Sequence, residues 1–525
     1  MKLTRFLRYW ILLPLCVLLL PWGMGSCENE GVLCGDDVKL AFSEDTLKFD
    51  TVFVARGTVT KQVKVYNNLS QTVHIDAITL KGGAASRFRL NVDGDTSMVV
   101  RNVDIAAHDS IFIFVRACIN PNSQLEPFLV EDAIVFDCGG NRKNLVLTAY
   151  GRNAVYHTPT NSFSDQYGNV YNYSVIDCDG WDHSRPHVIE GYAVVDSRCT
   201  LNLTAGDELY FGTDAVLWVF DSATLKVQGT PERPVLFTSV RHDDYYGYLP
   251  GQWNYIWLYS GSKDNVIDWA RIENGYVGLL VDTNVNQNPT LKITNTVVEN
   301  HSNAGLLARG AVVEGDNLLL DNCGGACMAL QYGGSYSISN STLSGNYRWG
   351  ARVSPTLVLN NWYVSAAGDT ILRDLRRADF KNCIVYGNYS DRWGAREVAF
   401  ILKNGAQANY SFRHCLLKTD NASLEGSGNI LNEDPLFLDV KENNLHVAAE
   451  SPALGAGNAA YVNIPYDLDY QPRQNPPAMG AYEYRDTTEA ARMGGCKAMG
   501  PARTPAAKKK MPPMRVERGN LKFKI

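Results

Sequence analysis

The chain has 525 residues, a formal net charge of −6 and an apolar content of 45%. This length is too great for one ordinary domain, and the apolar content excludes a chain that is disordered throughout. Gly and Tyr are abundant, with 44 and 27 residues respectively, which suits a secreted protein built mainly from strands and turns.

The first 26 residues read as a targeting segment. A basic start is followed by an apolar run over residues 10–20, which is too short to span a membrane comfortably as a helix of the mature protein. Small and apolar residues then lead to Cys27. This pattern resembles the lipobox of bacterial lipoproteins, which is cut before a cysteine that is then lipidated. The alternative is ordinary secretory cleavage with a free Cys27.

The lipobox resemblance implies that Cys27 is the lipidation site. It further implies a membrane-anchored lipoprotein of a Gram-negative cell envelope, in the outer membrane and exposed at the cell surface. Residues 27–37 would then be a tether between the lipid and the first folded domain.

Residues 38–153 contain six short apolar runs, such as VKVYNN and LVLTAYG, which are separated by turn residues. This spacing is typical of a β-sandwich. The runs resemble the immunoglobulin-like domains placed at the start of bacterial surface proteins, which implies a spacer or docking module. Cys118 and Cys138 each end an apolar run, and in an oxidising compartment they could pair as a disulfide.

From Cys199 to about Asn361 the chain repeats itself. Three similar sequence segments, here called lines, each contain an asparagine at the same position. These are Asn274, Asn300 and Asn322, at steps of 26 residues (274 to 300) and 22 residues (300 to 322). Apolar residues tend to alternate within the lines, which is the pattern of strands, and polar turns separate them. Because so short a period leaves no room for helices, each repeat is predicted to be one coil of a parallel β-solenoid.

The segment LNLTAGDELYFGTDAVLWVFDSATLKVQGTPERPVLFTS (201–239) and the Trp-x-x-Ile motif at 253–256 resemble the first coils of right-handed parallel β-helix proteins of the pectin-lyase-like superfamily. The resemblance covers roughly residues 185–485. It implies an all-β chain, with a right-handed parallel β-helix over 154–447 preceded by the immunoglobulin-like β-sandwich. This fold carries lyases, hydrolases, epimerases and non-catalytic surface proteins, so it does not itself define a function.

The segments SPALGAGN (451–458) and MGAYEY (479–484) resemble the closing motif of such proteins. We therefore expect residues 448–485 to cap the open end of the solenoid, where strand edges would otherwise be unpaired. Residues 486–525 are rich in Lys, Arg and Pro and are predicted to be a disordered basic tail. Binding of the tail to an anionic surface is the alternative.

Cys323 and Cys327 lie in the sequence Cys-Gly-Gly-Ala-Cys, with no His nearby. A metal site would need further ligands, so we expect both thiols to pack as small apolar groups inside the solenoid. Hydrolases of the resembling family use Asp pairs with Gly-His-Gly and Arg-x-Lys motifs, and the coils contain neither motif.

The first group of candidate glycan ligands lies in a loop after Ser239 that interrupts the repeat. Sugar rings stack on aromatic faces, while acids and His bond their hydroxyls. The alternative is a surface loop with a hydrophobic clasp. The candidates in the loop are Arg241, His242, Asp243, Asp244, Tyr246 and Trp253.

The second group comes from a pentapeptide, Arg-Trp-Gly-Ala-Arg, which occurs at 348–352 and again at 392–396. This separation equals two coils, so we expect a basic stripe along one outer face, with indoles beside it, that binds an anionic polymer. The alternative is a set of solvated surface ion pairs. The predicted stripe consists of Arg309, Arg352, Arg373 and Arg396, flanked by Trp349 and Trp393.

Together these features favour a cell-envelope lipoprotein whose β-helix binds a glycan or another extended polymer without catalysis. One alternative is a polysaccharide lyase acting on uronate-containing glycans, which could use Ca²⁺, and another is a purely structural adhesin. Apart from Ca²⁺ in the lyase case, we expect no cofactor and no metal site. The expected partners are a polysaccharide and, through the lipid, a membrane, but no nucleic acid; the sequence does not define the oligomeric state.

Overall fold

A computed structural model describes residues 31–53, 60–120, 122, 125, 127–165, 168–241, 246–283, 289–389 and 396–485. The predicted signal peptide, Cys27, the start of the tether and the basic tail lie outside these ranges, as do His242, Asp243, Asp244 and Trp393. Within the ranges, no helix is long and apolar enough to cross a membrane. The chain divides into two compact units, Met1–Asn153 and Ala154–Ile525.

The first unit contains two sheets that share one hydrophobic core. Strands β3 (Lys61–Asn67) and β7 (Ser110–Ala117) bury every second residue, which is the pattern of a sheet with one face on the core. The four-stranded sheet has the order β1 (Leu40–Phe42), β3 (Lys61–Asn67), β7 (Ser110–Ala117) and β5 (Phe88–Val92). The five-stranded sheet has the order β2 (Thr46–Phe53), β9 (Asn141–Arg152), β8 (Phe128–Cys138), β4 (Val73–Leu80) and β6 (Val99–Ile105). The immunoglobulin-like topology itself stays a prediction.

The pairing of Cys118 with Cys138 that the sequence suggested is wrong. Both thiols are free. Cys118 follows β7 in the four-stranded sheet, whereas Cys138 ends β8 in the other sheet and is fully buried. The chain forms a disulfide elsewhere, between Cys178 and Cys199, whose Cα atoms are 6.3 Å apart.

The second unit is a solenoid of parallel strands, as the repeat predicted. Its ten-stranded sheet is parallel except for one hairpin at its end, formed by β11 (Asn161–Ser164) and β12 (Val170–Val175). The order is β11 (Asn161–Ser164), β12 (Val170–Val175), β14 (Tyr192–Val195), β17 (Val216–Val219), β20 (Tyr255–Leu258), β23 (Val277–Asp282), β25 (Ala304–Arg309), β27 (Met328–Gln331), β30 (Leu357–Asn360) and β35 (Val398–Ile401). The right-handed sense of the coil stays a prediction.

The other two faces of each coil belong to one 17-stranded sheet. They are joined because two long strands, β24 (Leu291–Glu299) and β26 (Val312–Asp321), run through the corner between the two faces. Its strands are β10 (Val155–His157), β13 (His187–Ile189), β15 (Thr200–Thr204), β16 (Glu208–Phe211), β18 (Thr224–Gln228), β19 (Val235–Ser239), β21 (Asn265–Asp268), β22 (Ala270–Glu273), β24 (Leu291–Glu299), β26 (Val312–Asp321), β28 (Gly334–Ser339), β29 (Thr342–Gly345), β33 (Leu375–Lys381), β34 (Ile384–Gly387), β36 (Ser411–Arg413), β37 (Leu416–Leu417) and β38 (Ile430–Leu431). Two hairpins lie outside these sheets: β31 (Trp362–Val364) with β32 (Thr370–Leu372), and β39 (Phe437–Asp439) with β40 (Asn444–Val447). Short 3₁₀ turns span Gly83–Ala85, Tyr246–Tyr248, Ala422–Leu424, Val440–Glu442 and Ala459–Tyr461.

Inward side chains stack from coil to coil to form the core. Ile256, Leu279, Leu306 and Met328 occupy one such row in neighbouring coils and are almost completely buried. Each buried aliphatic side chain of this size stabilises the fold by roughly 1.5–3 kcal/mol. Cys323 and Cys327 belong to the same core, as the sequence predicted.

The asparagines that revealed the repeat form a ladder at one corner of the solenoid. Asn274, Asn300 and Asn322 have φ angles of 69°, 61° and 52°, a left-handed conformation that asparagine adopts more readily than most residues. The amide of Asn300 donates to Asn274, and the amide of Asn322 donates to Asn300 over 2.9 Å. The ladder therefore turns the chain and satisfies its own buried amides.

A second column of left-handed turn residues lies at another corner and is covered by the C-terminal segment. The segment descends the column from the last coil toward earlier ones. The contacts in that order are Ala456 with His414, Asn458 with Asn382, Tyr461 with Asn340, Tyr466 with Asn317 and Tyr470 with Trp269. This segment, residues 456–473, is called the strap. It lies along the flank of the solenoid rather than over its open end, where we expected the closing motif to sit.

Candidate functional site

The outer surface of the ten-stranded sheet carries a group of aromatic side chains at its first coils. Leu217, Val219, Ile256 and Leu258 point into the core and are fully buried, so the residues that alternate with them point outward. We call this group the aromatic face. Its members are Phe163, Tyr171, Tyr192, Trp218, Tyr255 and Trp257.

The two indoles form the centre of the aromatic face. Trp218 and Trp257 are paired in adjacent strands, and their rings stack at 5.2 Å with an interplanar angle of 12°. Both are half-buried. Phe163 approaches Trp218 from the neighbouring hairpin at 5.9 Å and is 37% exposed. The result is a surface that offers both ring edges and apolar contact area to a ligand.

Trp257 is held in position by a carboxylate and an arginine. Its indole N–H donates to Asp282 over 2.8 Å. Arg309 donates to both oxygens of the same carboxylate, from Nε over 2.5 Å and from Nη2 over 2.7 Å. Such bidentate pairs are geometrically specific, so Arg309 orients Asp282 and Asp282 orients Trp257.

A polar rim continues from this pair along the C-terminal ends of the strands. The Tyr332 and Tyr363 rings are 4.7 Å apart, and the exposed guanidinium of Arg373 lies 5.9 Å from the Tyr363 ring. We call Asp282, Arg309, Tyr332, Tyr363 and Arg373 the rim. Arg309 and Arg373, both predicted from the sequence, therefore lie at one edge of the sheet.

Tyr192 and Tyr255 connect the aromatic face to the rim. Their hydroxyls lie close to each other, and Tyr255 also lies close to Arg309. Burial raises the pKa of both phenols, so both stay neutral at physiological pH. Neutral hydroxyls both donate and accept hydrogen bonds, which suits them to sugar hydroxyls.

The single basic stripe predicted from the repeated pentapeptide is wrong. The Arg352 side chain is 3% exposed and donates to both oxygens of Glu397, which is fully buried. Arg396 lies within 3.5 Å of Asp420. Arg352 and Arg396 precede β30 and β35 and thus lie at the strand starts, opposite the rim. The contact that Arg352 makes near the second pentapeptide is with Glu397, the residue that follows Arg396.

The described part of the loop after Ser239 is a clasp rather than an open platform. Trp253 is 1% exposed, stacks on Phe211 at 4.2 Å and donates to the Glu273 carbonyl. It cannot be a sugar platform in this conformation. The Arg241 guanidinium covers the Tyr246 ring at 3.1 Å.

This loop and Trp349 both attach to the asparagine ladder. Asn300 donates to the Tyr248 carbonyl over 2.7 Å, and Trp349 donates to the Asn300 side-chain oxygen over 2.9 Å. The ladder thus fixes two segments at the strand-start edge. Trp349 is half-buried, which leaves part of its ring open to a ligand.

Asp282 is the one carboxylate among the residues named as the aromatic face and rim. Glycoside hydrolysis usually needs two carboxyl groups across the scissile bond, one of which must be protonated. Both oxygens of Asp282 already accept hydrogen bonds from Trp257 and Arg309, so this carboxylate serves to hold the indole and the guanidinium. In the described ranges no group of three or more His, Cys, Asp or Glu residues could hold a metal ion.

The aromatic face escaped the sequence analysis, although a signal was present. The segments VLWVF (216–220) and YIWLY (255–259) place outward aromatics at matching positions in successive coils. The long insertion that contains the clasp separates these segments, so they do not follow the period of the asparagine lines.

Comparison with known proteins gives distant structural similarities only. No protein-family model and no curated protein matches the chain. A catalytic unit of a GH87 alpha-1,3-glucanase from Streptomyces thermodiastaticus has 10% identity and a TM-score of 0.22, covering 68% of this chain and 79% of that one. A GH87 alpha-1,3-glucanase catalytic domain in complex with tetrasaccharides has 10% identity and a TM-score of 0.17, covering 72% and 91%.

A family 123 glycoside hydrolase from Clostridium perfringens has 6% identity and a TM-score of 0.16, and covers 23% of this chain. The similar region is 31% of that enzyme's length. These TM-scores are too low for the similarities to indicate a function of this chain.

Proposed function

We propose that the solenoid is a non-catalytic glycan-binding unit of a cell-envelope lipoprotein, and that the aromatic face is its binding surface. The observation that carries the proposal is the stacked pair Trp218 and Trp257, fixed by Asp282 and Arg309. Aromatic rings held in one orientation bind sugar rings with little loss of side-chain entropy.

The electrostatics of the surface favour a neutral glycan over an anionic one. Asp282 and Arg309 neutralise each other through two hydrogen bonds. The other groups at the centre are aromatic rings and neutral hydroxyls. Binding should therefore depend little on salt, because ionic screening acts mainly on exposed charges.

The orientation of the ligand follows from the positions of the indoles. Trp218 and Trp257 lie on successive coils, so the aromatic surface extends across the strands, along the solenoid axis. An extended polymer lying in this direction would meet the two indoles in turn, with the rim along one side.

The test is glycan binding by Trp257→Ala and Trp218→Ala, measured calorimetrically against neutral, uronate-containing and sulfated polysaccharides at low and high salt. Each substitution should weaken binding of a neutral glycan about tenfold or more, as expected for a central aromatic contact. Phe114→Ala is the matched control, since Phe114 is an exposed aromatic (37%) of the first unit. Unchanged affinity in both tryptophan variants, with native melting temperatures, would remove the aromatic face as the site.

A lyase acting on uronate polymers is the second candidate, and one observation favours it. The exposed Arg373 guanidinium lies beside Tyr363 at the rim, and a lyase needs a cation for the uronate and a base for its proton. Depolymerisation of a uronate polymer, with new ultraviolet absorbance that Arg373→Ala abolishes, would establish this activity in place of binding alone.

A further inference from the structure

Four fully buried cysteines of the solenoid, which are free thiols in the structure, fall into two neighbouring pairs: Cys323 with Cys327, and Cys383 with Cys415. We call them the core thiol pairs. All four belong to the inward-facing hydrophobic cluster, so they do not contribute to the aromatic face or the rim.

Cys383 and Cys415 lie directly above one another in neighbouring coils. Lys381 pairs with Arg413, and Ile384 pairs with Leu416, which places the two cysteines opposite each other in the same register. The Leu416 N–H donates to the Cys383 carbonyl over 2.9 Å. Neighbouring strands are about 4.8 Å apart, which falls within the Cα separation that a disulfide accepts.

The side chains of this pair also point the same way. The Cys383 thiol approaches the carbonyl of Lys381 at 3.2 Å, and the Cys415 thiol approaches the equivalent carbonyl of Arg413 at 3.4 Å. Burial and the neighbouring Cys415 thiol raise the pKa of the Cys383 thiol. Both sulfurs therefore lie on the same side of their coils and close together.

Cys323 and Cys327 meet within a single turn. Gly324, Gly325 and Ala326 separate them in the chain, and burial together with the nearby Cys323 thiol raises the pKa of the Cys327 thiol. Gly305 of the preceding coil packs closely against this turn, because a Cβ at that position would come within 2.7 Å of the Cys327 carbonyl oxygen.

We propose that both core thiol pairs close to disulfides when the chain folds in an oxidising compartment. In each pair two S–H bonds break and one S–S bond forms. The two electrons and two protons pass to an incoming disulfide of a thiol oxidant, which leaves as a dithiol. Because a buried thiol is inert toward exchange, the reaction takes place before the surrounding coils close.

The experiment compares full-length protein exported to a bacterial periplasm with protein made in a reducing cytosol. Each sample is denatured in N-ethylmaleimide, digested without reduction and mapped by mass spectrometry. The exported chain should give a linked Cys383–Cys415 peptide and a Cys323–Cys327 peptide that is lighter by two hydrogens and carries no maleimide. Maleimide on these four residues in the exported chain, or their linkage to other cysteines, would overturn the proposal.

A matched pair of variants tests the assignment within the folded chain. In exported Cys383→Ala, Cys415 should become alkylated, but only after denaturation, and the Cys323–Cys327 peptide should stay oxidised. Cys118→Ala, which removes a thiol of the first unit, should leave both pairs intact. If Cys415 of Cys383→Ala still carries no maleimide after denaturation, its partner in the native chain is not Cys383.

The inference that the disulfides form before the thiols are buried can be tested separately. Cytosolic protein that has folded in the reduced state should stay reduced when incubated with oxidised glutathione. Rapid oxidation of the folded protein would contradict the inference that exchange precedes burial. Glycan affinity should be the same in both preparations, so this proposal and the glycan-binding proposal can fail independently.

Discussion

At the scale of single residues, asparagine supplies what the corners of the solenoid require. Each coil must turn through a left-handed residue, and the φ angles of Asn295, Asn317 and Asn340 are 48°, 57° and 46°. Their side chains are buried and bond to one another or to the strap. An alanine would lose both the favoured backbone conformation and a buried hydrogen bond, each worth about 1 kcal/mol.

Asp321 makes the stability of the solenoid depend on pH. It is completely buried, and burial, with a further contribution from nearby Glu299, raises its pKa to about 7. In the unfolded chain it ionises near pH 4. As pH rises from about 4 to 7 the unfolded state loses its proton first, so the native state loses relative stability over this window and stays at the lower level above it.

Asp321→Asn should therefore raise the free energy of unfolding at pH 8 by roughly 2–4 kcal/mol and change it little at pH 4. Urea unfolding across this pH range measures the effect. Asp369→Asn, at an exposed turn, is the control and should change neither value. An equal effect of Asp321→Asn at both pH values would point to packing rather than ionisation.

Arg309 is predicted to be a positioning residue for Trp257. In Arg309→Met the Asp282 carboxylate loses two of its three donors, so the indole loses its fixed orientation. Neutral-glycan affinity should fall about tenfold, and the near-ultraviolet circular dichroism of the indoles should change. Arg396→Met removes an arginine from the opposite edge and should leave both signals unaltered. A loss of affinity without any change in the indole signal would mean that Arg309 contacts the glycan itself.

At the scale of elements, the strap is held by a buried ion pair. Arg473 and Glu483 are 2% and 4% exposed, and their charged atoms are 3.4 Å apart. Arg473 also donates to the Asn317 side chain over 2.8 Å and to the Gly480 carbonyl over 2.9 Å. One residue thus joins the strap to the second column of turns.

Arg473→Met should destabilise the second unit by roughly 3–5 kcal/mol, because it leaves the Glu483 carboxylate buried without its partner. Urea unfolding provides the measurement. The double variant Arg473→Met with Glu483→Gln should recover part of the loss, since no unpaired charge remains. Equal destabilisation in the single and double variants would show that the hydrogen bonds of Arg473, rather than its charge, hold the strap.

The coils, the arginine stripe and the strap differ in how well the sequence predicts them. The asparagine lines gave the parallel coils correctly because the turn conformation restricts the residue type at Asn274, Asn300 and Asn322. The arginine stripe failed because Arg352 and Arg396 lie in loops, where residue spacing does not fix side-chain direction. The path of the strap could not be read from its sequence, since it depends on contacts between Asn382 and Asn458, 76 residues apart.

At the scale of the whole chain, the two units have separate hydrophobic cores. The proposed glycan surface lies entirely in the second unit. The first unit, which includes the N-terminal segment, does not carry this surface. It is the part of the chain that the proposed lipid on Cys27 would attach to the membrane.

Cys27→Ala should move the protein from the membrane fraction to the soluble fraction, because the lipid that the lipobox implies would be absent. Several acyl chains on one N-terminus give stable anchoring, whereas a single chain does not. Fractionation with a high-salt wash, followed by immunoblotting, provides the measurement. Retention of the substituted protein in the washed membranes would disprove the lipoprotein assignment. Cys34→Ala, which removes an exposed cysteine of the described residues, should stay with the membrane.

The position of the strap has a consequence for how the protein is made. Asn317, Asn340 and Asn382 find backbone acceptors in residues that the ribosome adds more than seventy positions later. Each of these amides also donates within the coils, to Asn295, Asp316 and Asn340 respectively, so only one of the two N–H groups of each amide waits for the strap. A chain whose translation stops between residues 448 and 455 would contain all the described strands, but this flank would stay open to proteases and to other chains. The flank is therefore closed only after the strap has been added.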